Sequence, residues 1–112
     1  YADAFNTTWH VSPASMLERF ADVDAACRAA GRDPATLLHT AGSYVALPAS
    51  GEEPPPQRVA TIRTDPQDLA ERLLAFRAAG SDHHTLSVEP WDTAGLERCG
   101  KTIEILRKLE AS

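Results

Sequence analysis

Lysine is almost missing from this sequence, and the shortage limits the partners that the protein can bind. Its two lysines, Lys101 and Lys108, lie near the end, and 11 basic residues face 16 acidic ones, for a formal charge of −5. Aromatic residues make up only 6% of the chain. Proteins that bind nucleic acid cluster basic residues against the phosphates and often add aromatic residues that stack on bases. The composition therefore predicts a protein that does not bind nucleic acid.

Long apolar runs and closely spaced cysteines are also missing. No run approaches the ~20 apolar residues of a membrane span, and no basic segment leads into a short apolar one as in a signal peptide. We therefore expect no membrane partner and a cytoplasmic location. Cys27 and Cys99 lack the spacing of a zinc or redox pair. They are predicted to be buried free thiols, and a disulfide between them is an alternative without support in the sequence.

The first of three predicted helices is marked at both ends. Ser12 is a good N-cap, Pro13 suits the first helical position, and Gly31 suits the residue after the last turn. Apolar residues recur between these ends with the period of a helix. They are Met16, Leu17, Phe20, Val23, Cys27 and Ala30.

The other two helices follow the same pattern. Thr64 or Asp65 caps the second, which begins at Pro66 and stops at Gly80, and the third runs from about Thr93 to the end. The apolar stripe of the second helix is built on Leu69, Leu73 and Phe76, and that of the third on Leu96, Cys99, Ile103 and Leu106. Both stripes are expected to face the core.

Extended segments alternate with these helices. Residues 37–48 and 83–90 have the composition of strands, and residues 4–9 form a weaker candidate. Strands that alternate with helices of this length predict an α/β fold of three consecutive βα units with a parallel sheet. The proline-rich residues 48–58 are predicted to be an inserted loop, and residues 58–63 could add a short strand after it.

Three βα units do not cover a parallel sheet. A (β/α)₈ barrel takes ~250 residues, and a parallel sheet is normally covered on both faces. With the helices on one side, we expect an apolar sheet face to stay open. Two explanations follow from the residues: the chain is a piece of a larger protein, or it is a small domain that packs on a copy of itself.

The order of the motifs resembles the C-terminal part of the luciferase-like monooxygenases. The resemblance is carried by "YADAFNTTWH", by the helix ending "AAGRDP", and by "TDPQDLAERLLAFRAAGSDHH". It implies a partial TIM-type (β/α)₈ barrel in which residues 4–9, 40–47 and 84–89 are strands six to eight and the first five units are missing. It also implies a flavin (FMN) or a deazaflavin coenzyme in the complete protein. Arg63 and Ser81 depart from the family pattern and weaken the transfer of its site residues.

Candidate binding residues follow from the rule that barrels bind ligands at the carboxyl ends of their strands. Two tryptophans at this end could wall a flavin ring or an apolar substrate, or each could simply pack under a loop. A histidine, whose unperturbed pKa is near neutrality, suits general acid–base catalysis. An arginine beside the N-terminus of the second helix suits the binding of an anion. The candidates are Asn6, Trp9, His10, Tyr44, Arg63, Glu89 and Trp91.

No metal site is predicted, since His83 and His84 are adjacent on a strand and must point to opposite faces. The sequence names no catalytic residue. We expect the C-terminal segment of a flavin- or deazaflavin-dependent oxidoreductase, inactive and without coenzyme alone, whose partners are the rest of the barrel or a second copy and a small-molecule substrate. The alternative is a free-standing, non-catalytic α/β domain that dimerises or binds a partner through its open sheet face.

Overall fold

One parallel sheet with helices on one side organises the chain. The computed structural model describes residues 3–49 and 60–112, so most of the predicted proline-rich loop, residues 48–58, lies outside the described residues. The strands and helices, in chain order, are β1 (Ala4–Thr7), α1 (Pro13–Ala29), β2 (Leu38–Ala46), β3 (Thr61–Arg63), α2 (Pro66–Ala78), β4 (His83–Glu89) and α3 (Thr93–Ala111). A 3₁₀ turn, Pro34–Thr36, precedes β2.

The helix ends confirm the predicted cap of α2 and the two glycine stops, whereas the side chain of Ser12 makes no capping hydrogen bond at α1. Asp65 accepts a hydrogen bond from the backbone N–H of Asp68 at the start of α2. Gly31 and Gly80, after the first two helices, have φ angles of 76° and 112°. Only glycine adopts such angles at low cost, so these two positions end α1 and α2 as the sequence indicates.

β2 is the centre of the sheet and pairs in parallel with all three other strands. β4 occupies one edge of β2, pairing from Thr40 to Ala46. On the other edge, β1 pairs with the N-terminal half of β2, up to Ala41, and β3 pairs with the C-terminal half, from Tyr44. The order β1–β2–β4 is that of three consecutive βα units, as predicted. In a regular (β/α)₈ barrel one strand pairs along each edge of its neighbour, whereas here β1 and β3 share one edge of β2.

The core lies between the sheet and the helices. Alternate residues of β2, Ala41 and Val45, point into it because successive side chains of a strand face opposite ways. Helices α1 and α2 cover them with Met16, Phe20 and Phe76. The core cluster consists of Met16, Phe20, Ala41, Val45, Leu47, Ile62, Leu69, Phe76 and Val88.

The face of the sheet away from the helices is polar, which corrects the expectation of an open apolar face. Its residues follow by alternation from the core positions. They are Asn6, Thr40, Gly42, Tyr44, Ala46, Thr61, Arg63, His83, Thr85, Ser87 and Glu89, with Leu38 and Ala4 at the lower end. Asn6, Arg63, His83 and Thr85 are exposed. Small and polar side chains of this kind remain in contact with water at little cost.

Helix α3 also differs from its prediction. Gly95 and Thr102 are its buried residues, whereas two members of the predicted core stripe, Leu96 and Ile103, are 55% and 47% exposed. Thr102 tolerates burial because its hydroxyl donates to the carbonyl of Arg98 at 2.9 Å. Leu96 and Ile103 therefore lack a covering surface within the described residues, whereas Cys99 of the same stripe packs against the core.

The cysteines are as predicted. Cys27 is buried, Cys99 is half-buried, and both are free thiols. Burial raises the pKa of the Cys99 thiol, so this thiol is protonated and weakly reactive near neutral pH.

Candidate functional site

The candidate site lies where β2 and β4 reach their carboxyl ends on the open face. The rings of Trp9 and Tyr44 pack with centroids 5.4 Å apart and an interplanar angle of 47°. The hydroxyl of Tyr44 donates to Glu89 Oε1 at 3.4 Å. Three of the predicted residues, from three different segments, are thus in one contact chain. An aromatic pair of this geometry contributes about 0.5–1.5 kcal/mol beyond its buried area.

Trp9 reaches this position because the loop after β1 is fixed to β2. The backbone N–H of His10 donates to the carbonyl of Gly42 at 3.1 Å, and the hydroxyl of Ser43 donates to the carbonyl of His10 at 2.6 Å. With His10 held against β2, Trp9 adopts a φ of 66° and is 44% exposed. A bulky residue rarely adopts a left-handed conformation, and such conformations cluster at functional sites.

The surface formed by Trp9, Tyr44 and Glu89 at the carboxyl ends of β2 and β4 is called the mouth below. His10 itself is not available to a ligand at this mouth. It is 6% exposed, and its Nε2 and Nδ1 atoms each lie 2.8 Å from a hydroxyl, those of Thr7 and Ser15. Ser15 donates its own proton to the carbonyl of Ser12, so it accepts from Nδ1–H. Burial, with a smaller contribution from Arg19, lowers the pKa of His10. His10 is therefore a neutral ring that holds the loop, and the predicted acid–base role has no geometric support.

The remaining predicted residues are dispersed. Asn6 accepts a hydrogen bond from the hydroxyl of Thr40 at 2.9 Å. Thr40 precedes Tyr44 by four residues in β2, which is about 13 Å along the strand. Asn6 therefore does not join the mouth. Trp91 is 76% exposed, and its ring makes none of the aromatic contacts found in the described part of the chain. The expected Trp9–Trp91 wall is replaced by Trp9 and Tyr44.

Arg63 does belong to the mouth. It pairs with Ala46 in register from one side, and Glu89 pairs with Ala46 from the other. Their backbones are therefore two strand spacings, about 10 Å, apart on the same layer of the open face. A cation and a carboxylate thus flank the upper end of β2. Arg58, which with Arg63 flanks the start of α2 in the sequence, lies outside the described residues.

The N-terminus of α2 does not suit an anion. Asp65 caps it from within the chain, and the carboxylate of Asp68 contacts both Thr64 and Arg72. The hydrogen bond from Thr64, followed by that from Arg72, lowers the pKa of Asp68. Two carboxylates therefore occupy the first turn and repel a phosphate at this helix end.

A buried polar network behind the mouth was missed by the sequence analysis. Ser43, 1% exposed, uses its proton on the His10 carbonyl and so accepts from His84 Nε2–H at 2.9 Å. On the other side of the ring, the Ser81 hydroxyl lies 3.3 Å from Nδ1. Phe76 packs on the His84 ring with centroids 4.3 Å apart. Burial, then the charges of His10 and His83, lower the pKa of His84 to about 4.

This network links the loop after β1, the centre of β2 and the start of β4, so it sets the position of Trp9 relative to Tyr44. His84 faces the helices and His83 is exposed on the other face, as predicted for adjacent strand residues. The described residues contain no group of three or more His, Cys, Asp or Glu side chains that could hold a metal ion. The signal that could have found the network is the serine at a core position of β2.

His39 has a structural role. Its Nε2 lies 2.6 Å from Asp24 Oδ1, its Nδ1 lies 2.7 Å from the carbonyl of Leu37, and its ring meets Phe20 edge to face. Both ring nitrogens therefore face acceptors. The contact between His39 and Asp24 fastens α1 to the N-terminal end of β2.

Comparisons with known proteins do not extend this description. Searches of protein-family models, of curated proteins and of solved structures returned no match to the chain. None of the helices among residues 3–49 and 60–112 is long and apolar enough to cross a membrane. The chain is thus placed by its fold alone, an α/β chain with a parallel sheet and three helices.

Proposed function

We propose that this chain forms the C-terminal side of the mouth of a luciferase-like, flavin- or deazaflavin-dependent oxidoreductase. The observation that carries the proposal is the Trp9–Tyr44–Glu89 contact chain at the carboxyl ends of parallel strands. The order β1–β2–β4, with one helix after each strand, supports it because consecutive barrel units are arranged in this way. Under the proposal, β1, β2 and β4 are strands six, seven and eight.

The side chains at the mouth suit a flavin-type group in three respects. The half-exposed indole of Trp9 offers a planar surface for an aromatic ring system, and Tyr44 supports that indole from behind. Glu89 can accept a hydrogen bond from a ring N–H, and Arg63 places a positive charge on the same layer. When bound, a coenzyme of this type supplies hydride or electron transfer. This chain's residues would bind and orient it.

The test is coenzyme binding by the protein that carries this chain. FMN and a deazaflavin coenzyme are titrated separately and followed by absorbance and by quenching of tryptophan fluorescence. Trp9→Ala is expected to weaken binding by about tenfold or more, because a stacked aromatic ring contributes about 1–2 kcal/mol. The control, Trp91→Ala, removes a ring of the same kind that lacks aromatic contacts and should change binding by less than about twofold. Failure of the unmodified protein to bind either coenzyme would refute the proposal, as would an unchanged affinity in Trp9→Ala.

A non-catalytic domain that binds a partner is the second candidate. The observation in its favour is the exposed apolar surface of α3, on which Leu96 and Ile103 are 55% and 47% exposed. The polar character of the open face argues against face-to-face packing through that surface. Binding of neither coenzyme, together with stable association of the chain, would favour this candidate.

A further inference from the structure

The edge of β2 that β1 and β3 share has a gap between these two strands. β1 pairs with β2 up to Ala41 and β3 pairs from Tyr44, so no strand among the described residues pairs with Gly42 and Ser43 on this edge. The loop after β1 fills the gap, because the backbone N–H of His10 donates to the carbonyl of Gly42 at 3.1 Å. The position of the loop therefore depends on these two residues of β2.

Ser43 holds the loop from the helix side of the sheet. Its hydroxyl donates to the carbonyl of His10 at 2.6 Å and accepts from His84 Nε2–H at 2.9 Å. The other helix-facing residues of β2 are apolar: Ala41, Val45 and Leu47. Ser43 is 1% exposed, and a buried hydroxyl costs free energy unless it is hydrogen-bonded. Alanine would fill this core position without that cost, so packing alone does not account for the serine.

Gly42 receives the loop on the open face of the sheet. A Cβ added to Gly42 would lie 3.4 Å from Thr8 Cγ2, so the side chain of Thr8 packs directly over this residue and a larger side chain would displace it. Thr8 and His10 are thus both fixed to β2, and Trp9 joins them with a φ of 66°. A left-handed conformation of a bulky residue persists only where its surroundings enforce it. The contacts on either side of Trp9 enforce it here.

We propose that Ser43 and Gly42 are positioning residues of the mouth: together they hold the loop after β1 so that the Trp9 ring stays packed on Tyr44. Ser43 fixes the backbone that follows Trp9, and Gly42 leaves room for the side chain that precedes it. Loss of either contact allows Trp9 to leave its left-handed conformation, and the ring then moves from Tyr44 into water. The consequence for coenzyme binding rests on the proposed function, whereas the position of the ring does not.

The test measures the exposure of Trp9 by acrylamide quenching of its fluorescence. Trp91→Phe is introduced first, so that Trp9 is the only tryptophan of the 112-residue chain. Ser43→Ala and Gly42→Val should each raise the quenching constant by about twofold, because a ring that is 44% exposed becomes fully exposed. Both variants should also weaken coenzyme binding by about tenfold, the loss expected when a stacked ring is out of place.

Thr40→Val is the matched control. It also removes a hydroxyl of β2 that lies against a main-chain carbonyl, that of Phe5 at 2.8 Å, but at the N-terminal end of the strand and away from the mouth. It should leave the quenching constant unchanged and the coenzyme affinity within about twofold. Circular dichroism of each variant checks that the helices are retained, and Gly42→Val decides if Ser43→Ala unfolds.

Two results would overturn the inference. Unchanged quenching of Trp9 in the folded variants shows that the loop keeps its place without these contacts. An equal rise in Thr40→Val shows that the loss of any such hydroxyl contact releases the ring. Either result can occur whether or not the protein binds a coenzyme. If the ring is released while the coenzyme affinity stays the same, the positioning of Trp9 is confirmed and the proposed function is contradicted.

Discussion

Acid pH should destabilise the protein through His84, whose ring is held neutral between Ser43 and Phe76. Its pKa falls from 6.5 to about 4 in the folded protein. Between pH 6.5 and about 4, the His84 ring is protonated in the unfolded chain but neutral in the folded protein. The stability contributed by His84 is therefore complete above pH 6.5 and is lost as the pH falls to about 4. Each unit of pKa difference is worth about 1.4 kcal/mol. The full difference gives about 3 kcal/mol, and partial access of water to the ring reduces the expected loss to about 2 kcal/mol.

The assay is urea unfolding at a series of pH values between 4 and 7.5. His84→Gln keeps a side-chain donor for Ser43 but cannot titrate, so the decrease in its unfolding free energy across this range should be about 2 kcal/mol smaller than in the unmodified protein. His83→Gln is the matched control, because His83 is an exposed neighbour on the same strand and its variant should keep nearly the full decrease. Asp68 responds at lower pH, since hydrogen bonds from Thr64 and Arg72 lower its pKa. Parallel pH curves for His84→Gln and the unmodified protein would refute the reasoning.

Three variants in helices α2 and α3 test the account of stability. Gly95→Ala should lower the free energy of unfolding by about 2 kcal/mol or more, because the added Cβ would lie 1.9 Å from the carbonyl oxygen of Pro90. Gly100→Ala, where a Cβ meets nothing within 4 Å, should instead stabilise α3 by about 0.5–1 kcal/mol, and equal effects in urea unfolding would contradict this contrast. Asp65→Ala should cost about 1 kcal/mol by removing the cap of α2; an unchanged midpoint would show that water replaces the cap.

The polar open face decides between ways of covering the sheet. A free-standing domain that packs face to face needs an apolar surface there, but this face carries Asn6, Thr40, Thr85 and Ser87. Parallel sheets with both faces covered by helices have apolar side chains on both faces. A face of small polar side chains therefore does not suit packing against a second sheet or a further layer of helices.

The buried hydrogen-bond network explains how the mouth can be rigid on a loop. The protons of Ser43 and His84 are assigned uniquely by the acceptors around them, and His10 is held from both sides by Thr7 and Ser15. A fully satisfied polar network fixes one arrangement, since each alternative leaves a buried group without a partner. The hydrogen bonds that hold His10 against β2 thus maintain the conformation of Trp9.

Local features were predictable because they depend on neighbours in the sequence. Pro13 and Pro66 at helix starts, and Gly31 and Gly80 at helix ends, act within one turn of the chain. The positions of the candidate binding residues were predictable only in part, for a related reason. Tyr44 and Glu89 follow from strand ends, whereas Asn6 and Trp91 depend on register and loop course, which local sequence does not specify.

The sequence alone determined the helices, the cap of α2, the glycine stops, the parallel βα order and the free thiols, because propensity, capping and alternation act over a few residues. Only the tertiary structure decided that Trp9 contacts Tyr44, that the side chain of His10 is buried, and that Ser43 and His84 are hydrogen-bonded to each other. It also decided that the stripe on α3 containing Ile103 stays exposed. These features arise from contacts between residues tens of positions apart, and a periodic stripe indicates which side of a helix is apolar but not whether a neighbour is there to cover it.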